Sequence, residues 1–371
     1  MKKLLAILLA MTMMVALCAC GGGDTTTEKK DASTTAAATT EAGTTAATEA
    51  EATTTTVADA TPTEGDVTTT EAEVTTTTAG TTTATKPTEG TTTAAPTTTQ
   101  STAAPTTTAP KNPGKVPKSI KILSIGNSFS VDAMRNHLYP MLKEAGCTDI
   151  RLGILYIGGA SIDTHYDNVR LDRAKYQYQE TTDGTWTYTE EYKASTAFAL
   201  TDWDIVTMQQ ASPDSGRGIS YGNLDALIDL VRPQIGDAKL YWHMTWAYQQ
   251  DSTHTGFGNY NKDQMRMYKG IVRATTDKIL PNKNFVGYFP VGTAIQNLRT
   301  SSLGDTLTAD GYHLKDTYGD YTAALTWFCY LTGADAETVT YRPASIADHF
   351  DEIAESVNNA LANPLAFTAC K

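Results

Sequence analysis

The sequence predicts an α/β protein of three layers, with helices on both faces of a central parallel five-stranded sheet and an inserted β-hairpin. Three observations predict it. From Ser119 onward, short apolar runs alternate with segments of helical periodicity. Turn-forming residues close the runs, as at Gly126 and Gly158-Gly159. All 8 Phe, 5 Trp and 18 Tyr of the 371 residues fall at or after Phe129, so a core can form only in the later part of the chain.

Taken in order, Ile120–Ile125 is an apolar run suited to a buried strand. Val131, Met134, Leu138, Met141, Leu142 and Ala145 then recur at helical spacing, with Ser130 as the expected N-cap and Asp132 in the first turn. Ile150–Ile157, Ile205–Met208, Lys239–His243 and Asn284–Tyr288 supply four more strands, and Leu224–Val231, Asp263–Ile279 and Val291–Arg299 supply helices between them. Strands alternating with helices argue for a parallel sheet covered on both faces. Tyr176-Gln177-Tyr178 and Trp186-Thr187-Tyr188, joined through Asp183-Gly184, make the hairpin. Helices near Tyr318–Tyr330 and Ser345–Leu361 close the chain.

The first 116 residues have a different character. Lys2 and Lys3 precede the apolar stretch Leu4–Leu17, too short to span a bilayer comfortably, as in a secretory signal occupying residues 1–19. Residues 20–116 are mostly Thr, Ala, Glu and Pro, with runs such as Thr53–Thr56 and Thr75–Thr78, which predicts a disordered stalk. The globular domain is then 117–371. A formal net charge of −12 offers no basic stripe along the chain for nucleic acid. Once Cys18 leaves with the signal, Cys147, Cys329 and Cys370 allow at most one bridge and show no metal spacing.

Ligands of open parallel sheets gather at the carboxyl ends of the strands. Four motifs fall there. Gly126-Asn127-Ser128-Phe129-Ser130 puts a hydroxyl between the first strand and the first helix, although by position alone Ser128 serves equally well as a capping residue. Asp310-Gly311-Tyr312-His313 offers a base with an orienting carboxylate, and Asp251-Ser252-Thr253-His254 has the same spacing; only position in the chain favours 310 and 313. Gly158-Gly159-Ala160-Ser161 can present a free backbone N–H, and Gln209-Gln210-Ala211-Ser212 a side-chain amide, while each alone is also an ordinary turn.

Together these blocks resemble the SGNH (GDSL-like) hydrolase superfamily, whose sheet is flavodoxin-like, over about Lys118 to Tyr330. Gly126-Asn127-Ser128 is similar to the nucleophile block, Ile157–Ser161 to the block whose glycine, here Gly159, donates to the oxyanion, and Asp310–His313 to the Asp-x-x-His block. The nearer resemblance is to a branch sharing Gly-Asn-Ser-Phe-Ser, Trp-Asp-Ile-Val with Gln-Gln-x-Ser, here Trp203–Val206 and Gln209–Ser212, and Asp-Gly-x-His-Leu. The resemblance implies a serine esterase with Ser128 as nucleophile, His313 as base and Asp310 orienting it, requiring no metal or organic cofactor. One departure stands out: Ala211 falls where the superfamily's oxyanion Asn belongs, so Gln210, or failing it Gln209, is expected to reach in beside the N–H groups of Ser128 and Gly159. Leu17-Cys18-Ala19-Cys20 resembles a bacterial lipobox, which implies lipidation of Cys20 and an outward-facing, membrane-anchored protein.

Trp242, Trp246 and Tyr248, near the end of the fourth strand, could stack on a sugar ring, although large aromatics are more often core. The expectation is a surface-anchored esterase of acylated, foremost acetylated, glycans. The alternative is a glycan-binding or adhesion module on the same fold with a decayed triad.

Overall fold

The computed structural model describes residues 113–371; the expected signal, Cys20 and nearly all of the stalk lie outside the described residues. The body begins a little before 117. The Lys115 N–H bonds to the Thr332 carbonyl at 2.8 Å, and Val116 packs against the core.

The elements run β1 (Ser119–Gly126), α1 (Ser128–Met134), α2 (Leu138–Glu144), β2 (Asp149–Tyr156), α3 (Ile162–Arg170), β3 (Tyr176–Thr181), β4 (Thr187–Tyr192), α4 (Ala194–Phe198), β5 (Ile205–Met208), α5 (Leu224–Val231), β6 (Lys239–His243), α6 (Gln264–Ala274), β7 (Phe285–Phe289), α7 (Val291–Leu298), α8 (Tyr318–Thr332) and α9 (Phe350–Ala362). The sheet order is β4-β3-β2-β1-β5-β6-β7. Five of these strands, β2 to β7 across β1, are parallel as expected. The hairpin does not stand apart from the sheet: β3 pairs antiparallel with β2, and the sheet has seven strands.

β1 lies between β2 and β5, and Ile122, Leu123 and Ile125 are wholly buried. Both faces of a central parallel strand are covered, which is why its sequence is a nearly continuous apolar run. On one face α1, α2, α7, α8 and α9 pack on one another; on the other α3 packs with α4 and α5. α8 is buried on nearly every side, and its Trp327 stacks on Phe289 of β7 at 4.3 Å.

Three local expectations change. The helix expected over Val131–Ala145 is two helices, broken at Arg135–His137. Pro140 explains the break, because its ring would clash with the carbonyl of residue 136 in a continuous helix. The N-cap of α1 is Asn127, not Ser130: its side chain accepts the Phe129 N–H at 3.0 Å. The segment expected to be helical to Ile279 ends its α-helix at Ala274 and finishes in a π turn.

The first turn of α7 sits directly on the chain leaving β6. The Gly292 N–H bonds to the Met244 carbonyl at 2.9 Å, and a Cβ on Gly292 would lie 2.1 Å from the Thr245 carbonyl oxygen. Gly292→Ala is expected to destabilise the domain by about 1–3 kcal/mol in urea unfolding. Gly222→Ala, with nothing within 4 Å of its Cβ, serves as the neutral comparison.

Candidate active site

The β1–α1 turn places Ser128 at the first helical position, just past the carboxyl end of the central strand. Its neighbours hold that turn from below. Ser124 Oγ donates to Ser130 Oγ at 2.7 Å, and Ser130 Oγ to Gln209 Oε1 at 2.6 Å. Gln209 Nε2 donates to Asn127 Oδ1 at 2.5 Å, and Asn127 Nδ2 to the Ala160 carbonyl at 3.0 Å. All four side chains are buried. The space is tight: a Cβ on Gly126 would lie 2.1 Å from Ser130 Oγ.

The second component is the tight loop Leu307–Lys315. Lys315 N–H bonds to the Leu307 carbonyl at 2.9 Å and Ala309 N–H to the His313 carbonyl at 2.8 Å. Within it, Asp310 Oδ1 accepts the backbone N–H of Tyr312 at 3.1 Å and of His313 at 2.8 Å. Its other oxygen pairs with His313 Nδ1 at 2.7 Å. This explains why a spacing of three suits the pair: one carboxylate closes the turn and orients the ring. Gly311 takes φ +91°, a left-handed conformation that favours glycine, and a Cβ there would press on Ser252.

His313 Nε2 lies 2.8 Å from Ser128 Oγ. With Nδ1–H directed at Asp310, Nε2 presents its lone pair to the Ser128 hydroxyl. Burial draws the Asp310 carboxyl upward, but the His313 N–H, its imidazole and the Tyr312 N–H outweigh this and hold it below the usual range. The line is open to solvent, the His313 and Asp310 side chains being 31% and 42% exposed.

Two residues that the sequence did not assign to this junction brace it. Trp246, expected as a sugar platform, is fully buried. It stacks on Phe129 at 4.1 Å with nearly parallel rings, and its Nε1–H donates to the Tyr312 carbonyl at 2.8 Å. It therefore touches the residue after Ser128 and the residue before His313. Asp132, one helical turn after Ser128, accepts the Leu314 N–H at 2.9 Å. The only sequence signal for it was its i+4 spacing from the serine.

The expected oxyanion donors divide. Among the described residues no hydrogen bond uses the backbone N–H of Ser128 or of Gly159, and Gly159 has φ +65° with open space where a side chain would go. The glutamines are engaged elsewhere. Gln210 Nε2 donates to the Ser220 carbonyl at 2.8 Å and hydroxyl at 3.1 Å, while its Oε1 accepts the N–H of Ile162 and of Ala211. Gln209 holds Asn127, as above. Neither amide is free for an oxyanion, so that expectation for Gln210 and Gln209 is corrected.

Trp242 and Tyr248 do not form a platform either. Trp242 is 2% exposed, packed against Tyr221 and Phe285, and Tyr248 is fully buried with its hydroxyl 2.7 Å from Ser212 Oγ. The rival dyad does not form: His254 Nδ1 accepts the Gly256 N–H, and Asp251 accepts from Gln249. His254 instead sits edge-on to Tyr312, at 4.7 Å. His137 bonds weakly to Tyr341 and the Asp316 carbonyl. Cys147, Cys329 and Cys370 are unpaired thiols. A groove of about 1160 Å³ opens at the opposite end of the sheet beneath the first residues of β1, β5 and β6, away from this chemistry.

Residues 121–361 match the family described as "Domain of unknown function (DUF4886)". The chain belongs to that family. It is similar to a DUF4886 family protein from Bacteroides uniformis ATCC 8492, with 40% identity over 67% of this chain and 97% of that one and a TM-score of 0.65. It is similar at a distance to the acetyl xylan esterase AlAXEase, with 17% identity over 57% of this chain and 100% of that one and a TM-score of 0.37. A catalytic mutant of Axe2, an acetylxylan esterase from Geobacillus stearothermophilus, has 11% identity over 62% and 97% and a TM-score of 0.34. No curated protein matches the chain. The chemistry drawn for this DUF4886 domain rests on its own side chains.

Beneath the loop of His313 this DUF4886 domain holds two acids, Asp132 half-buried and Asp320 buried. Burial raises the Asp132 carboxyl to about 6, against the Leu314 N–H and the charges of His313 and Arg135. Burial, reinforced by the charge of Asp132, raises Asp320 of α8 to about 9, although the Asn136 amide bonds it at 2.7 Å. Its second oxygen has no partner. His243, bonded through Nδ1 to Gln209 Oε1 at 3.0 Å, is lowered by burial to about 3 and remains neutral.

Two outcomes follow from this arrangement. Trp246→Phe keeps the stack and removes the bond to the Tyr312 carbonyl; it is expected to lower the turnover number of an ester assay about tenfold or more, with KM and the urea midpoint much less affected. An equal change in KM and the midpoint would make Trp246 merely a core residue. For Asp320, the folded state binds more protons than the unfolded one between the ordinary 3.8 and about 9. Stability from this group is therefore greatest at low pH and falls as pH rises through that window. Asp320→Asn lacks that loss, so melting curves should show the variant gaining on the parent from pH 4 to pH 9; parallel curves would contradict the assignment.

Proposed function

We propose that this domain is a serine esterase that transfers acyl groups, acetyl foremost, from O-acylated extracellular glycans to water. The observation that carries the reading is the continuous line from Ser128 Oγ through His313 to Asp310, at 2.8 and 2.7 Å. Ser128 Oγ attacks the ester carbonyl carbon while His313 Nε2 takes its proton, and Asp310 stabilises the imidazolium. The N–H groups of Ser128 and Gly159, which no hydrogen bond of the described residues uses, would receive the oxyanion. The tetrahedral adduct collapses, His313 returns the proton to the departing alcohol, and water repeats the sequence on the acyl-serine. With the glutamine amides engaged, two donors serve where the SGNH pattern supplies three. One donor fewer typically costs ~10²–10³ in turnover, so modest rates are expected.

The openness of the line supports a bulky ester, such as a substituted polymer, over an acyl chain that must be buried. The location belongs to the same proposal: the lipobox-like Leu17–Cys20 and the Thr-rich residues after it suit a lipid-anchored enzyme facing outward on a stalk.

Hydrolysis of p-nitrophenyl acetate by the purified chain tests the reading. Ser128→Ala and His313→Ala should each lower turnover by about 10³ or more, whereas His254→Ala should leave most of it. If the parent does not exceed Ser128→Ala on any of several acetyl esters, the glycan-binding module without turnover replaces the esterase.

A further inference from the structure

The chain carries a formal charge of −12, yet one groove of about 550 Å³ is lined by four cations, Arg217, Arg266, Lys269 and Arg273. Three of them stand on α6 at intervals of three and four residues, which puts them on one face of the helix. All four are exposed. Arg217 pairs with Asp214 at 2.7 Å. The side chains of Arg266, Lys269 and Arg273 have no ion-pair or hydrogen-bond partner among the described residues. Asp263, the lining carboxylate, accepts the Arg266 backbone N–H at 2.7 Å as the helix cap.

Like charges at this spacing destabilise a helix, so the arrangement has a cost that an anionic occupant would offset. The groove is also firmly built. The Tyr260 hydroxyl accepts the Gly216 N–H at 2.8 Å and donates to the Pro213 carbonyl at 3.1 Å. Gly216 and Gly270 approach so closely that a Cβ on either would meet the other's backbone at about 3 Å. The loop after β5 and helix α6 are thus locked together beneath the cations.

Its place in the fold links it to the esterase site. Arg217 follows β5 and Tyr260 follows β6, so the groove lies on loops from the strand ends that also carry Ser128. Ser212, at the start of the β5 loop, touches Tyr248. The Tyr248 ring is 5.6 Å from Tyr312, and Tyr312 is 4.2 Å from His313. Arg266 and Arg273 are separated by about 10 Å along the helix axis, given a rise of about 1.5 Å per residue. That separation suits an occupant with repeated negative charges better than a single small anion.

We propose that this groove is a subsite for an acidic polysaccharide, a polyuronate whose ring carboxylates pair with Arg266, Lys269 and Arg273 while an ester further along the chain reaches Ser128. This deepens the esterase reading by naming its substrate class, and its test is binding, which needs no turnover.

The full chain carrying Ser128→Ala is titrated with fluorescent polygalacturonate, with neutral xylan, and with phosphatidylglycerol vesicles, at low and at physiological salt. Polygalacturonate should bind, more weakly as salt rises, and xylan should bind far less. Replacing Arg266, Lys269 and Arg273 together by Gln should weaken polygalacturonate binding about tenfold, each exposed ion pair being worth a factor of about two to three. Arg266→Lys with Arg273→Lys should retain most of the binding, which separates lost charge from lost fold. Unchanged affinity in the triple Gln chain overturns the proposal, as does binding to the vesicles without binding to polygalacturonate. Ester hydrolysis can fail while this binding stands, and the reverse, so the two readings fall separately.

Discussion

The hydrogen bond between Ser128 Oγ and His313 Nε2 joins segments 185 residues apart, and the polar architecture at this end of the sheet is organised around keeping that distance. A hydroxyl is a weak nucleophile until a base lies within reach, so an error of an ångström between the two turns would cost more than most single contacts contribute. The chain meets that constraint from both sides. From the strand side, Ser130, Gln209 and Asn127 fix the Ser128 turn by hydrogen bonds that leave little freedom. From the loop side, Trp246 and Asp132 each bond to backbone next to His313.

Burial and exposure have separate tasks here. The groups that set position are buried, and buried polar groups are stable only when paired. His243 illustrates the limit: one ring nitrogen holds Gln209, the other has no partner, and the ring is kept neutral. The groups that would meet substrate are open to solvent. The same division marks the basic groove, where a buried tyrosine and two apposed glycines support cations that face outward.

Much of this was legible in the sequence because it depends on local pattern. Each of the five parallel strands was visible as an apolar run, and the hairpin through Asp183-Gly184 as a turn between alternating segments. Pairing of that hairpin with β2 was not visible, since registry between distant strands leaves no local mark. Ser128, Asp310 and His313 stood out through spacing and chain position. Gln210 misled because a glutamine at a strand end can equally serve an oxyanion or staple a loop, and only the identity of its partners, Ser220 and Ile162, decides. Trp246 was noticed for its ring and misassigned, as a sequence does not tell which face of an aromatic is covered. The basic groove escaped notice because Arg217 lies far from the α6 cations in sequence, and the net charge concealed them.

The most direct measurement is peptide mapping after exposure of the chain to a fluorophosphonate, which labels a hydroxyl only when a neighbouring base activates it. The account predicts one adduct, on Ser128, that is lost in His313→Ala and persists in His254→Ala. An adduct on another serine, or labelling of Ser128 that does not depend on His313, would contradict it.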